Sequence, residues 1–202
     1  MSEPAPPRVR EYADEVVAYV QRALGVKLEF DSNTLPVLDH YLRSVPTDQP
    51  AALKLVVLTA AAYFGEVVRQ LLGGRWELGG SEPEWRMFLP TGLNFSPAGF
   101  VAAAIAQADL EDFDSEINAP ARMLPHVQDA LARMGELTVE EYYSLCGRLD
   151  TLEHLHEVLV AVAAQLMGPG GPDGDEDDGD DEDDTGVPGG RAVADEPSGP
   201  VN

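Results

Sequence analysis

Three polar side chains recur at helical spacing in a strongly apolar segment: Tyr63, Glu66 and Arg69. Their spacing of i, i+3 and i+6 puts them on one side of a helix, where Glu66 and Arg69 can pair. A guanidinium in such a position can hold a carboxylate through two parallel hydrogen bonds. With Trp76, these residues predict a polar binding site in a cleft between the helix and a following hairpin. The same residues also fit a structural ion pair that ties the helix to Arg75 and Trp76.

The four histidines do not form a metal-binding pattern. Zinc ligands on one helical face are usually four residues apart, whereas His154 and His156 are two apart and point in different directions. Asp150 and His154 have the spacing of a ligand pair, but a solvated helix face has it too. We therefore predict no metal and no other cofactor.

Cys146 is the only cysteine, which excludes an internal disulfide and favours a reducing, cytoplasmic location. A nucleophilic thiol needs a base or a lowered pKa, and the nearest cation in the sequence is Arg148. A packed helical thiol is the simpler interpretation. The glycine pairs at 73–74 and 79–80 match neither phosphate-binding loop and are expected in turns. The chain thus lacks a recognisable catalytic motif, and we lean towards a non-enzymatic role.

The charge balance excludes several classes of partner. The 202 residues include 36 acidic and 13 basic side chains, a net charge of −23. Nucleic acids and anionic membrane surfaces both require a cationic footprint, so neither is expected as a partner. The apolar windows at 55–64 and 87–108 are respectively too short and too interrupted for a membrane span.

Residues 168–202, here called the acidic tail, contain twelve acidic residues and one basic residue. Low hydrophobicity and high charge predict disorder. Such a tail can be a solubilising segment or an electrostatic arm that contacts a basic protein surface. Its acidic run does not match the register of a calcium-binding loop. The acidic residues of the run are Asp173, Asp175, Glu176, Asp177, Asp178, Asp180, Asp181, Glu182, Asp183 and Asp184.

The hydrophobic periodicity predicts a mainly helical α+β fold. Helices are expected over residues 9–24, 35–45, 50–72, 97–108 and 138–167. Another helix is expected to begin at about residue 120, and the last helix is expected to be interrupted at Gly147. A strand is expected over 26–30 and a hairpin over 75–78 and 85–89, which together would form a small antiparallel sheet. Residues 1–7 are predicted to be a disordered leader and residues 8–167 a single globular domain, followed by the acidic tail.

The central segment resembles an uncharacterised bacterial α+β domain. The residues that carry the resemblance are 62–69 (AYFGEVVR), 73–76 (GGRW) and 95–97 (FSP). They are similar to that domain's "AYxGEVxR" helix, "GGxW" strand and "FSP" helix start, over roughly residues 28–108. The resemblance implies a fold and no reaction.

We therefore expect a non-enzymatic cytoplasmic protein that acts by protein interaction or regulation, such as an adaptor, an inhibitor or an accessory subunit. Its partner is expected to be a protein with a basic surface, and the oligomeric state is left open. The alternative is an enzyme, or a sensor of a small molecule or peptide, with its site in the cleft near Tyr63, Glu66, Arg69 and Trp76.

Overall fold

A computed structural model of the chain describes residues 4–167. The predictions for residues 1–3 and for the acidic tail lie outside this range. Helix α1 spans Pro7–Leu24, so Pro7 belongs to the first turn of a helix and not to a leader. A proline suits that position because the first amide of a helix has no intrahelical acceptor. The helix ends at Gly25, whose φ of 72° is the left-handed conformation that glycine adopts without strain.

The segment after α1 is extended but is not a strand, so the prediction for residues 26–30 is wrong. Leu28 is buried, whereas the amide of Phe30 is bound by the Tyr63 hydroxyl instead of a neighbouring strand. Phe30 itself has a φ of 59°, which breaks the extended geometry that a ladder requires. A turn at Ser32–Thr34, capped by Asp31, leads into α2, which spans Leu35–Arg43.

Helix α3, Pro50–Leu72, is the central element, as predicted. Its residues from Val57 to Arg69 are all buried. By length and composition α3 could cross a membrane, but 67% of its most apolar window lies inside the structure. It is packed mainly between α1 and α4. Burial on all sides explains why its sequence is apolar nearly all round.

The sheet has three short antiparallel strands in the order β1–β2–β3. They are β1 (Arg75–Glu77), β2 (Arg86–Phe88) and β3 (Asn94–Phe95). The predicted hairpin is confirmed, with Trp76 opposite Met87. The third strand was not predicted, because its two residues are too few to show an alternating pattern. Asn94 also pairs with Asn118 in an isolated bridge.

Four helices complete the fold: α4 (Pro97–Ala106), α5 (Leu124–Arg133), α6 (Val139–Tyr143) and α7 (Leu145–Met167). The hydroxyl groups of Ser96 and Thr138 cap α4 and α6 by accepting from backbone amides. The interruption between α6 and α7 falls at Ser144 and not at Gly147. Gly147 instead allows the helices to approach, because a Cβ there would lie 2.0 Å from the carbonyl oxygen of Glu141.

One hydrophobic core runs through these elements, and it confirms the predicted mainly helical α+β class. Phe64, Phe95 and Phe100 meet at its centre, with ring centroids 4.7–6.1 Å apart. Leu145, Leu149, Leu152, Leu155 and Leu159 of α7 join the same core. Arg148, in the first turn of α7, lies against the Phe100 ring.

Candidate functional site

The predicted polar cluster on α3 is a buried and fully engaged ion pair. The Nε and Nη2 atoms of Arg69 donate to the two carboxylate oxygens of Glu66, at 2.9 and 3.0 Å. Trp76 Nε1 donates to Oε1 of the same carboxylate at 2.7 Å. Glu66 is completely buried and Arg69 is 9% exposed. The structure thus brings Glu66, Arg69 and Trp76 together, in the arrangement that ties the helix to the sheet.

Tyr63 points away from this cluster. Its hydroxyl accepts from the amide of Phe30 at 2.9 Å and lies 2.8 Å from the Thr34 hydroxyl. Burial raises the pKa of the Tyr63 phenol. Tyr63 therefore anchors the extended segment before α2, and it does not share a site with Glu66 and Arg69.

The expected cleft between α3 and the hairpin is filled by packing. The cavity there has a volume of about 10 Å³, at the lower limit of what a single water needs, and Leu58, Trp76 and Trp85 are among the residues that line it. Gly65 makes this packing possible, because a Cβ at Gly65 would lie 2.3 Å from the Trp76 ring. The group that approaches Gly65 is therefore the indole ring of Trp76.

A much larger groove, lined by a different set of residues, is called here the Arg148 groove. Its volume is about 900 Å³, within the range of ligand sites, which is about 300–1,000 Å³. Two stretches of the chain form it: the loop after α4 (109–117) and residues 131–151, which run from the end of α5 through α6 into α7. Its lining residues are Asp109, Leu110, Phe113, Asp114, Ser115, Glu116, Ile117, Leu131, Met134, Gly135, Leu137, Thr138, Val139, Tyr142, Tyr143, Arg148 and Thr151.

Arg148 lies at the base of this groove between aromatic rings. Its guanidinium carbon is 4.7 Å from the ring centroid of Phe100 and 4.4 Å from that of Tyr142. Tyr143 is 5.7 Å away by the same measure. Such stacking satisfies the faces of a guanidinium and leaves its N–H donors free in the plane. Arg148 is 5% exposed, so these donors are also shielded from water.

Two of those donors have no acceptor among the described residues. Nε and Nη2 of Arg148 are buried and make no hydrogen bond. These two atoms form the same edge with which Arg69 holds Glu66. A buried donor without a partner is costly and rare in folded proteins. The edge is therefore shaped for a carboxylate or a similar planar anion that residues 4–167 do not provide there.

The rim of the groove is acidic and apolar. Asp109 accepts from the Ser115 hydroxyl at 2.7 Å and from the Tyr143 hydroxyl at 3.2 Å. Burial raises the pKa of the Tyr143 phenol, and the nearby Asp109 carboxylate raises it further. Leu131, Leu137, Val139 and Tyr142 leave between 43% and 63% of their surface exposed.

Asp114, also on the rim, is paired with Arg86 at 2.6 Å. Burial would raise the pKa of its carboxyl, but hydrogen bonds from Arg86 and from the amide of Glu116 outweigh that effect and lower it. Asp114 and the Tyr143 phenol thus keep their ordinary charge states near neutral pH. Groups that do not change charge near neutral pH suit binding better than general acid–base catalysis.

Cys146 is held in an environment that suppresses its chemistry. Burial, together with the neighbouring Asp39 carboxylate, raises the pKa of its thiol to about 12. Asp39 also accepts from the amides of Leu145 and Cys146, at 2.8 and 3.1 Å, and so caps the start of α7. Among residues 4–167, no cluster of three His, Cys, Asp or Glu side chains could hold a metal ion.

Sequence reasoning noticed Arg148 only as the cation nearest Cys146. The available signal was the aromatic pair Tyr142–Tyr143 shortly before an arginine, at the junction of two helices. Neither a protein-family model, nor a curated protein, nor a solved structure matches this chain.

Proposed function

We propose that this chain is a non-enzymatic cytoplasmic interaction protein, an adaptor, inhibitor or accessory subunit, that binds a basic partner in the Arg148 groove. The observation that carries the proposal is the groove itself, with its exposed apolar side chains and acidic rim. Of the described residues that line it, three are acidic (Asp109, Asp114 and Glu116) and one is basic, the buried Arg148. An apolar surface supplies affinity, and a rim of one sign of charge selects the partner's charge.

The acidic tail fits the same proposal. With its net charge of −11, it would attract a basic partner over a distance of about one Debye length, roughly 8 Å at physiological salt. The tail would raise the rate of encounter with such a partner, and the groove would hold it. Nucleic acids and anionic membranes would be repelled by both.

A sensor of small molecules is the second candidate, and the volume of the groove favours it. A volume of about 900 Å³ would hold most drug-sized ligands. The sequence placed this alternative in the cleft between α3 and the hairpin, which has no room for a ligand. The Arg148 groove is therefore the site that we consider for it.

Binding of synthetic peptides to the full-length chain tests the proposal. Basic, neutral and acidic amidated peptides of equal length, each containing two leucines, would be compared by fluorescence anisotropy. We expect the basic peptides to bind most tightly and to lose affinity as salt is added.

The Glu116→Lys variant should weaken this binding, whereas Glu11→Lys should not. Glu116 lines the groove, and Glu11 is an exposed residue of α1, outside the lining. Equal affinity of all three peptide classes, or no effect of Glu116→Lys, would contradict the proposal.

A further inference from the structure

We infer that the Arg148 groove recognises the free C-terminal carboxylate of its partner, on a segment whose last residues are apolar and preceded by basic ones. This rests on the proposed function and adds the chemical group that determines specificity. Three features carry it: the vacant edge of Arg148, the apolar wall beside it and the acidic rim beyond.

The vacant edge determines the anion. Arg69 shows the preferred partner of this edge within the same molecule: a carboxylate whose two oxygens accept from Nε and Nη2. In Arg148 the equivalent atoms are buried and have no acceptor among residues 4–167. A carboxylate placed in the same plane would satisfy both donors and neutralise a guanidinium that is shielded from water.

The acidic rim excludes more highly charged anions. Asp109, Asp114 and Glu116 line the same groove as Arg148. A phosphate carries up to two negative charges and would meet the carboxylates of Asp109 and Glu116 beside Asp114, whose charge Arg86 offsets, whereas a carboxylate carries one. The rim in turn suits positive charges located a few residues before the carboxylate, since an extended chain advances about 3.3 Å per residue.

The apolar wall determines the residues next to the carboxylate. Leu131, Leu137 and Val139 are 43%, 44% and 63% exposed where they line the groove. Because the guanidinium edge of Arg148 is buried, a ligand can reach it only by displacing a neighbouring side chain, and the stacked Tyr142 is 45% exposed. Apolar side chains at the end of a bound peptide would cover this wall while the terminal carboxylate reaches Arg148.

Matched peptides test the inference on the full-length chain. The probes are the acetylated pentapeptide Lys-Lys-Ser-Val-Leu with a free carboxylate and the same peptide with a C-terminal amide. We expect the free acid to bind at least about tenfold more tightly, the advantage of a charge-assisted pair of hydrogen bonds. The advantage should disappear in Arg148→Gln and persist in Arg133→Gln, an exposed arginine at the end of α5.

Each outcome separates the inference from the proposed function. If acid and amide bind equally well, the carboxylate is not recognised and the inference is overturned, while the proposed function stands. If neither binds, the proposed function fails with it. Because acid and amide differ only in the ligand, their comparison does not depend on whether Arg148→Gln folds.

Two further probes test the identity of the anion and its source. An amidated peptide with phosphoserine as its last residue should bind more weakly than the free acid, and tighter binding would overturn the carboxylate assignment. A peptide of residues 191–202 carries this chain's own C-terminus with two acidic residues and one basic residue. This peptide should not displace the Lys-Lys-Ser-Val-Leu free acid from the groove. If it does so, and only with a free carboxylate, the groove is assigned to residues 191–202 of this chain instead of a partner.

Discussion

The guanidinium carbon of Arg148 lies 4.4 Å from the ring centroid of Tyr142, and the two residues differ sharply in exposure. Tyr142 is 45% exposed, whereas Arg148 is 5% exposed and has two donors without acceptors among the described residues. A side chain that contributed only stability would be expected to have its hydrogen bonds satisfied. This relationship separates Arg148 from Arg69, whose Nε and Nη2 donate to the Glu66 carboxylate.

We expect Arg148→Met to change the free energy of unfolding by less than about 1 kcal/mol, because replacing a buried charge with an apolar side chain of similar volume is often neutral or stabilising. Urea denaturation followed by circular dichroism measures it. The same variant should lose preference for a free peptide carboxylate. A loss of stability above about 3 kcal/mol would instead assign Arg148 a structural role.

Glu66→Gln should lower the free energy of unfolding by about 3–5 kcal/mol, because it leaves the Arg69 charge buried without its counter-ion. The matched control is Asp129→Asn, which breaks the exposed pair of Asp129 and Arg133 and should cost less than about 1 kcal/mol. Peptide binding in the Arg148 groove should be unchanged in folded Glu66→Gln. Equal costs for the two variants would contradict a structural role for Glu66.

Gly65→Ala should destabilise the protein, although alanine favours a helix more than glycine does. Its Cβ would lie 2.3 Å from the Trp76 ring, and overpacking of this kind costs about 1–3 kcal/mol. Thermal unfolding should show a lower Tm for Gly65→Ala and almost none of this change for Gly79→Ala, where no atom lies within 4 Å of the added Cβ. Adding Trp76→Leu should make Gly65→Ala less costly, and strict additivity would argue against this contact.

Cys146 should react slowly with iodoacetamide in the native protein. Raising its pKa to about 12 lowers the thiolate fraction at pH 8 by about three orders of magnitude relative to a free thiol. Alkylation followed by mass spectrometry should show little modification until urea unfolds the chain, and rapid modification afterwards. Rapid labelling of the folded protein would show that the thiol is activated.

Much of the fold could be predicted because its signals are local. The spacing of apolar residues in α1, α2 and α3 indicates which faces of these helices are buried. Ser96 and Thr138 stand at helix starts, where their hydroxyls accept from backbone amides, and Gly25 ends α1 in a left-handed conformation. The strand prediction at residues 26–30 failed because alternation is equally compatible with an extended segment held by a side chain. Here Tyr63, 33 residues away from Phe30, supplies that hydrogen bond.

The two candidate sites differ in how far they could be predicted, because only one of them depends on local spacing. Glu66 and Arg69 are three residues apart on one helix, so their pairing was visible in the sequence, and only their burial decided that the pair is structural. The Arg148 groove joins Asp109, in the loop after α4, to Leu131 and Tyr142. Phe100 of α4 contacts the arginine of this groove. No spacing encodes such a meeting, because the packing of α4, α5 and α7 creates it.

The most direct test is an NMR titration that observes the Nε–H signal of Arg148 in the full-length chain. The signal is assigned by its absence in Arg148→Gln, and the probe is the acetylated pentapeptide Lys-Lys-Ser-Val-Leu with a free carboxylate. A new hydrogen bond to a carboxylate should shift this proton downfield and saturate with the peptide, and the C-terminal amide should not reproduce the shift. If Arg148 Nε–H is unchanged while the free acid binds, the carboxylate is not held by Arg148 and the central claim is contradicted.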